Sequence, residues 1–302
     1  MSQKNTLITI VGATAIGKTA LSIQLAQHFN CDIISCDSRQ FYKEMTIGTA
    51  VPDLEELAAA PHHFIQNRSI FEDYSVGQFE KEALKTLDQL FTKSSIQIMV
   101  GGSGLYVDAV LKGLDYFPDV DTQIRIDLTT ELENKGIIHL QNKLKELDIE
   151  AYNTIAIDNP HRLIRALEIC IGTGKTYSSF KNKLKTPRNF QSIKIGLAAD
   201  REIMYDRINR RVDIMMEKGL IEEAKKLHSH KNLNALQTVG YRELFEYFEG
   251  YFTKEFAIEE IKKNSRRFAK RQGTWFRKDA NILWFDFQEE VQNIIRTIEN
   301  KL

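Results

Sequence analysis

Cysteine is scarce in this chain of 302 residues, and its placement argues against a disulfide framework or a redox pair. Only Cys31, Cys36 and Cys170 are present, and no C-x-x-C motif occurs. Cys31 and Cys36 are expected on one strand, roughly 16 Å apart, which exceeds the reach of a disulfide bond. We therefore expect buried, reduced thiols.

Histidines occur in two short groups without the other ligands that a zinc site needs. His62-His63 and His228-Ser229-His230 have no cysteine or carboxylate at a familiar ligand spacing. The sequence therefore predicts no zinc site.

Neither sign of charge is in excess, and long apolar runs are missing. Lys+Arg and Asp+Glu both number 41, so no overall field attracts nucleic acid or a membrane, and any polyanion site must arise from local clustering. The apolar run at residues 7–11 is too short for a signal sequence or a membrane span. We expect a cytoplasmic protein that binds no membrane and is, by default, a monomer.

Short apolar runs rich in β-branched residues alternate with helical patterns. The runs lie at residues 7–11, 32–35, 96–100, 193–197 and 282–285. This alternation predicts an α/β fold with a parallel sheet covered by helices on both faces. Residues 115–188 are charged and helical in period, which predicts a mostly helical insertion. The catalytic core is then formed by residues 1–114 and 189–302, with amphipathic helices at 201–228, 235–249 and 254–277.

A phosphate-binding motif follows the first predicted strand and opens the first predicted helix. It reads Gly12, Ala13, Thr14, Ala15, Ile16, Gly17, Lys18, Thr19 and matches G-x-x-x-x-G-K-[ST] in the required context. The glycines allow backbone N–H groups to surround a diphosphate, Lys18 adds positive charge, and the Thr19 hydroxyl can ligate Mg2+. A second G-K-T at residues 174–176 follows a helical pattern and is interpreted as a helix end and loop.

Polar side chains follow the next two predicted strands. Asp37, Ser38, Arg39 and Gln40 follow residue 36, and a glycine-rich turn that contains Ser103 follows residue 100. Ligands of open α/β sheets bind outside the carboxyl ends of the strands, so these turns and the phosphate loop are expected to share one cleft. Taken singly, the aspartate could equally be a helix cap and the glycine-rich segment a plain turn.

Basic residues cluster on two predicted helices near the C-terminus. Arg201, Arg207, Arg210 and Arg211 precede Gly219, and they either neutralise a departing phosphate chain or form a solvated helix face. Residues 262–278 contain no acidic residue, and Arg266 and Lys270 are predicted to contact RNA phosphates. On that helix the spacing of Ile261, Phe268 and Trp275 predicts a stripe that faces the core.

The ordered set of motifs resembles the tRNA dimethylallyltransferases, also called tRNA isopentenyltransferases, along nearly the whole chain. After the phosphate loop come D-S-R-Q-F-Y, I-G-T-A-V-P, P-H-H-F, Y-S-V-G-Q-F and G-G-S-G-L-Y. H-R-L-I-R-A-L-E, Q-T-V-G-Y-R-E and K-R-Q-G-T-W-F-R follow downstream. The resemblance implies a P-loop NTPase-like fold.

The resemblance also implies transfer of a dimethylallyl group from dimethylallyl diphosphate to the exocyclic amine of the adenosine 3′ to a tRNA anticodon, with Mg2+. Asp37 would accept the amine proton, and Ser38, Arg39 and Gln40 would line the pocket of the flipped base. Thr19 with Mg2+ would assist departure of diphosphate, clamped by Lys18, Arg201 and Arg207. By position, the residues that touch the anticodon stem-loop would be Thr14, Ser103, Arg125, His161, Arg162, Leu163, Ile164 and Arg165.

Four positions depart from the family pattern. Ala13 replaces a usual proline, Ile16 a serine, Ser103 a threonine and Val51 a lysine. The first three leave the glycines, the lysine and the hydroxyls of the motifs in place. Val51 removes a cation near the cleft, which would weaken diphosphate or RNA affinity.

Three other functions are compatible with part of the pattern. A P-loop small-molecule kinase would use the aspartate and the third turn for its acceptor, and a related prenyltransferase would act on free adenine nucleotides. The long insertion and the basic C-terminal helix argue against the second. A regulatory GTP-binding module requires N-K-x-D, which the chain lacks.

Overall fold

The computed structural model describes residues 4–181 and 187–302, and across these residues it contains one parallel six-stranded sheet. The spatial order is β3-β2-β4-β1-β5-β6. The strands are β1 (Thr6–Gly12), β2 (Ile33–Ser35), β3 (His62–His63), β4 (Ile96–Val100), β5 (Gln191–Ala198) and β6 (Ile282–Asp286). The α/β prediction is confirmed, and the sheet has the P-loop NTPase-like arrangement.

Helices connect and cover the strands. In the first half they are α1 (Lys18–Phe29), α2 (Leu54–Ala59), α3 (Val76–Leu90), α4 (Gly104–Lys112), α5 (Thr122–Lys135), α6 (Ile137–Leu147), α7 (Ile149–Thr154) and α8 (Pro160–Thr173). In the second half they are α9 (Arg201–Glu217), α10 (Leu220–Leu227), α11 (Tyr241–Phe248), α12 (Lys254–Phe276) and α13 (Val291–Glu299). None of these helices combines the length and the apolar character that a membrane crossing requires.

The alternation of side chains along β1 divides the core of the sheet into two clusters. Ile8 and Ile10 point to the side that α1 and α13 cover, whereas Leu7 and Val11 point to the side of α3 and α4. All four side chains are buried. A strand that is buried on both faces reads as a continuous apolar run, which is how residues 7–11 appear in the sequence.

The chain forms two compact units. One consists of residues 1–112 and 188–302 and contains the sheet, and the other spans Gly113–Pro187 and is helical. The helical unit has its own core, in which Leu140, Leu163 and Leu167 are fully buried. In the larger unit a third apolar cluster is centred on Tyr241 and joins α10, α11 and the first half of α12.

Several element boundaries differ from the sequence-based expectation. Cys31 and Cys36 flank β2 and do not share it, although both are buried and reduced as expected. Burial raises the pKa of the Cys31 thiol to about 12 and that of Cys36 further. The helix expected over residues 201–228 breaks at Gly219, where φ is 97°. The edge strand β3 and the C-terminal helix α13 were not predicted.

A close approach between two strand ends makes Gly101 sensitive to any side chain. A Cβ at this position would lie 2.5 Å from Cys36 Sγ and 2.8 Å from its carbonyl carbon. We expect Gly101→Ala to lower the free energy of unfolding by about 1–3 kcal/mol, because the backbone must shift. Gly77→Ala in α3 is the control, since its nearest neighbour is 3.9 Å away and alanine favours helix. Urea titrations in which both variants have equal stability would contradict this prediction.

Candidate active site

The loop of residues 12–17 joins β1 to α1 with a backbone shape suited to an anion. Gly12, Ala15 and Gly17 have φ values of 145°, 63° and 108°. At Gly12 a Cβ would lie 2.7 Å from the carbonyl oxygen of Leu197, so no side chain fits. Helix α1 begins at Lys18, and its unpaired N–H groups and positive dipole end therefore face the loop.

Lys18 folds back on the loop that it follows. Its ammonium donates a hydrogen bond to the carbonyl oxygen of Ala13 at 2.7 Å. Burial lowers the pKa of Lys18 to about 8, while the Asp37 carboxylate opposes this shift and the Arg211 guanidinium adds to it. The three charged groups thus belong to one electrostatic neighbourhood beside the loop.

Of the arginines on α9, two are directed towards this neighbourhood. Arg207 donates from Nε to the carbonyl oxygen of Ala15 at 2.8 Å and lies over the Phe287 ring. Arg211 lines the cavity described below and makes no hydrogen bond or ion pair with any residue in the described part of the chain. Burial lowers its pKa, and Asp37 opposes that shift. Arg201 is exposed and lies over Tyr205, and Arg210 pairs with Asp206 at 2.9 Å.

The ends of three neighbouring strands meet as the sequence predicted. Asp37 follows β2, the turn with Ser103 follows β4, and Thr14 lies in the loop after β1. The Ser103 hydroxyl accepts a hydrogen bond from the Ser38 N–H at 3.2 Å and lies 3.2 Å from the Ser38 hydroxyl. Asp37 accepts from the Arg39 N–H at 3.1 Å, which stabilises the turn.

These strand ends open into a cavity of about 560 Å3. Its polar lining includes Thr14, Asp37, Ser103 and Arg211. Its apolar lining includes side chains from α9, from α12 and from the segment before α11. Its members include Ile208, Val212, Met215, Val239, Ile261, Phe268 and Trp275. The cavity can therefore enclose a ligand that has both a charged end and a hydrocarbon end.

Gln272 on α12 joins two of the three strand-end turns. Its Oε1 accepts from the Thr14 N–H at 2.9 Å, and its Nε2 donates to the Gly102 carbonyl oxygen at 3.0 Å. The side chain is buried, and it occupies the place that a Cβ on Gly102 would need. In the sequence Gln272 is only one polar residue of a basic helix, within the motif K-R-Q-G-T-W-F-R, and nothing in that pattern points to a backbone partner distant in the chain.

The expectation that Phe268 and Trp275 face the core is wrong. Each is 39% exposed and lines the cavity, whereas the buried face of α12 carries Ala257, Ile261, Ala269, Gln272 and Phe276. A seven-residue spacing drifts by about 20° per repeat around an α-helix, so such a stripe leaves the buried face. Trp275 is held by a hydrogen bond from Nε1 to Asp108 Oδ2 at 3.0 Å.

Two residues expected to line a base pocket are engaged with backbone. Arg39 donates from Nη1 to the carbonyl oxygens of Asn234 and Ala235 at 2.9 and 3.1 Å, and it also lines the cavity. Gln40 donates to the carbonyl oxygens of Thr49 and Ala50 and does not line the cavity. Both side chains therefore fasten surrounding segments to the turn after β2.

The remaining predicted RNA contacts fall in two places. On α12, Arg266 donates to Asn209 at 2.6 Å, and Lys270 is exposed without a partner in the described chain. In the helical unit, Arg125 and Arg165 both pair with the buried carboxylate of Glu168, at 2.8 and 3.1 Å. Leu163 and Ile164 pack in that unit's core, and His161 and Arg162 are exposed.

A metal ion would find few protein ligands near the loop. In the described ranges, 4–181 and 187–302, no three His, Cys, Asp or Glu side chains form a metal-binding cluster. Thr19 lies in the first turn of α1, next to the loop. Mg2+ commonly binds through one or two protein oxygens, water and substrate phosphates, and this site fits that mode of binding.

Comparison with known proteins identifies the family. A model of the IPP transferase family matches residues 40–279. The chain is 62% identical over 304 residues to the tRNA dimethylallyltransferase of Flavobacterium psychrophilum, covering 99% of each chain, and 62% identical over 298 residues to that of Christiangramia forsetii, again with 99% of each covered.

Solved structures agree with the sequence matches. The tRNA isopentenylpyrophosphate transferase of Bacillus halodurans superposes with a TM-score of 0.72 at 40% identity, covering 98% of this chain and 95% of that one. A eukaryotic dimethylallyltransferase acting on tRNA gives a TM-score of 0.79 at 28% identity, covering 94% and 74%. With the phosphate loop, the carboxylate and the half-apolar cavity in one place, the chain belongs to the IPP transferase family of tRNA dimethylallyltransferases.

Proposed function

We propose that this enzyme transfers a dimethylallyl group from dimethylallyl diphosphate to the exocyclic amine of the adenosine 3′ to the anticodon of tRNA. The observation that carries the proposal is the 62% identity, over 99% of both chains, to a protein named tRNA dimethylallyltransferase. The cavity supports it, because its lining combines cations that suit a diphosphate with apolar side chains that suit a short hydrocarbon.

The reaction joins the amine nitrogen of adenine to C1 of the dimethylallyl group as the bond from C1 to the diphosphate oxygen breaks. An amine conjugated to a purine is a weak nucleophile, so a base must accept its proton. We assign this role to Asp37, which lines the cavity beside Lys18 and Arg211. Extruding the base from the anticodon loop costs a few kcal/mol, which contacts in the cavity offset.

Departure of the diphosphate requires positive charge at the loop of residues 12–19. We assign Lys18, Arg207 and the cavity-lining Arg211 to this role, because all three are directed to the loop or to Asp37. Arg201, exposed at the start of α9, would act only on a bound ligand that extends to it. Mg2+, held by Thr19 and by the diphosphate oxygens, would supply further charge neutralisation.

We assign contacts with the anticodon stem-loop to basic residues of each unit separately. In the larger unit these are Arg266 and Lys270 on α12, and in the helical unit Arg125, His161, Arg162 and Arg165. Ser38 and Ser103, joined through their hydroxyls in the cavity, would contact the extruded base. Since both substrates are charged and water-soluble, the proposal includes a cytoplasmic reaction.

The kinase alternative is not supported by the comparisons, and one labelling experiment separates the two. Label should pass from dimethylallyl diphosphate to tRNA, and nucleoside mass spectrometry should find it on the adenosine 3′ to the anticodon. In the same assay, Asp37→Asn should lower turnover by at least about a hundredfold, since it keeps the side chain's size and removes the proton acceptor. Its affinity for tRNA should stay near that of the wild type.

Asp53→Asn is the matched control, because Asp53 only caps the short helix α2. Turnover of this variant should be unchanged. Normal turnover of Asp37→Asn would remove Asp37 from the role of base, and label moving from ATP instead of the prenyl diphosphate would overturn the proposed function.

The lowered pKa of Lys18 predicts a pH-dependent affinity for the donor. The ammonium is fully formed only well below pH 8, is half lost at about pH 8 and disappears as the pH rises further. A bound diphosphate stabilises the charged form, so binding takes up a proton above that pH. The affinity for dimethylallyl diphosphate at constant Mg2+ should fall roughly tenfold from pH 8 to 9.5. Lys18→Met should bind weakly at every pH, and a flat wild-type profile would contradict the assignment.

The exposed lysine on α12 offers a test of the tRNA surface. If Lys270 contacts a phosphate, Lys270→Ala should reduce the slope of log affinity against log salt by somewhat less than about one unit. Arg266→Ala should have the smaller effect, because Arg266 also binds Asn209. Lys254→Ala, exposed at the other end of the same helix, serves as the control. Identical slopes for Lys270→Ala and Lys254→Ala would place tRNA elsewhere.

A further inference from the structure

We infer that Glu223 on α10 is a positioning residue that fixes one wall of the active-site cavity from outside it. The inference rests on the proposed function, because the wall matters only if the cavity holds the substrates. Glu223 does not line the cavity, whereas the segment that it binds does.

The Glu223 carboxylate accepts four hydrogen bonds. Oε2 accepts from the N–H groups of Thr46 and Ile47 at 3.0 and 2.8 Å, and Oε1 accepts from the Gly48 N–H at 2.9 Å and the Tyr241 hydroxyl at 2.6 Å. Three consecutive N–H groups directed at one anion form a nest, which compensates the charge with backbone dipoles. Hydrogen bonds to an ionised acceptor are about twice as strong as neutral ones.

Tyr241 links Glu223 to a second cavity segment, the residues that precede α11. Its ring is fully buried and lies so close to Gly48 that a Cβ there would be 2.6 Å from two ring carbons and from the hydroxyl oxygen. Burial and the Glu223 carboxylate both raise the pKa of Tyr241, so its hydroxyl stays protonated and donates. The preceding residue, Gly240, lines the cavity as Gly48 does.

The wall formed by Gly48, Thr49 and Gly240 is held largely by hydrogen bonds, including one from the Gly240 N–H to the Glu243 carboxylate at 2.8 Å and one from the Thr49 hydroxyl to the Met45 carbonyl oxygen. Glycine has no side chain with which to pack, and Gly240 has a φ of 101°. Gln40 Nε2 donates hydrogen bonds to the carbonyl oxygens of Thr49 and Ala50, at the other end of this segment from the N–H groups that Glu223 binds. Residues 46–50 thus accept hydrogen bonds from Gln40 and donate hydrogen bonds to Glu223. Loss of either set would allow the wall to move relative to Asp37.

This arrangement connects two sequence motifs that are distant in the chain. I-G-T-A, residues 47–50, supplies the N–H groups and the wall, and Q-T-V-G-Y-R-E, residues 237–243, supplies Tyr241 and the facing backbone. A displacement of about 1 Å in a positioning element can lower a rate by up to about a hundredfold. Glu223 should therefore affect turnover without touching a reacting atom.

Glu223→Gln tests the inference, since it keeps the side chain's length and replaces one acceptor oxygen by an NH2 group. Glu222→Gln is the control, because Glu222 is exposed on the same turn of α10 and makes no hydrogen bond in the described chain. We expect Glu223→Gln to lower kcat for dimethylallyl transfer to tRNA about tenfold or more. Amide exchange at residues 46–48 should accelerate in this variant and not in the control.

The affinity for inorganic pyrophosphate separates positioning from general destabilisation. Glu223 makes no contact with the phosphate loop, so this affinity and amide exchange at residues 12–19 should match the wild type. A parallel loss of turnover and pyrophosphate affinity, or normal turnover in Glu223→Gln, would overturn the inference. If Glu223→Gln does not fold, Tyr241→Phe takes its place in the test. This variant removes one hydrogen bond and keeps the ring, and we expect its kcat to be roughly threefold lower.

A failure of the proposed function would look different. In that case the wild-type protein itself would transfer no dimethylallyl group to tRNA. Faster exchange at residues 46–48 in Glu223→Gln, with unchanged pyrophosphate binding, would still distinguish a local positioning role. Unchanged exchange at those amides would overturn the inference whatever the substrate.

Discussion

A single side-chain amide, that of Gln272, holds the two halves of the catalytic cleft in register. It accepts from Thr14 in the phosphate loop and donates to Gly102 in the turn after β4. The bond to the Gly102 carbonyl oxygen is buried, and a buried carbonyl left without a hydrogen bond costs about 1–3 kcal/mol. Because the donor and the acceptor of one amide are rigidly linked, the loop and the turn cannot shift independently. The position of α12 therefore sets the distance between the loop and the turn that line the cavity.

The charged groups of the site depend on this geometry. Lys18 and Arg211 are brought close enough to Asp37 for each to influence the others, in surroundings where burial disfavours both cations. A bound diphosphate would compensate the charge of these two cations. Glu223 has the opposite charge, and backbone N–H groups surround its carboxylate and compensate that charge.

The sequence was most informative where a local pattern determines a local structure. The β-branched runs predicted all five longer strands, and G-A-T-A-I-G-K-T predicted the loop and the start of α1. It could not reveal β3, because two histidines form no pattern, nor α13, whose few apolar residues resemble many surface segments. At Phe268 and Trp275 periodicity was misleading, because a cavity and a core both select apolar side chains. Gln272 and Glu223 have partners that are distant in sequence, and no spacing rule points to them.

Three glycines that line the cavity, Gly48, Gly102 and Gly104, are each backed by a larger side chain that fills the space of the missing Cβ: Tyr241, Gln272 and Trp275 respectively. At these positions the surface of the cavity consists of main-chain atoms, whose chemistry no side-chain substitution alters. Gln272 and Trp275 also line the cavity themselves, whereas Tyr241 does not. Tyr241 therefore shapes the cavity from behind its surface, and a mutational library restricted to side chains that line the cavity would overlook it.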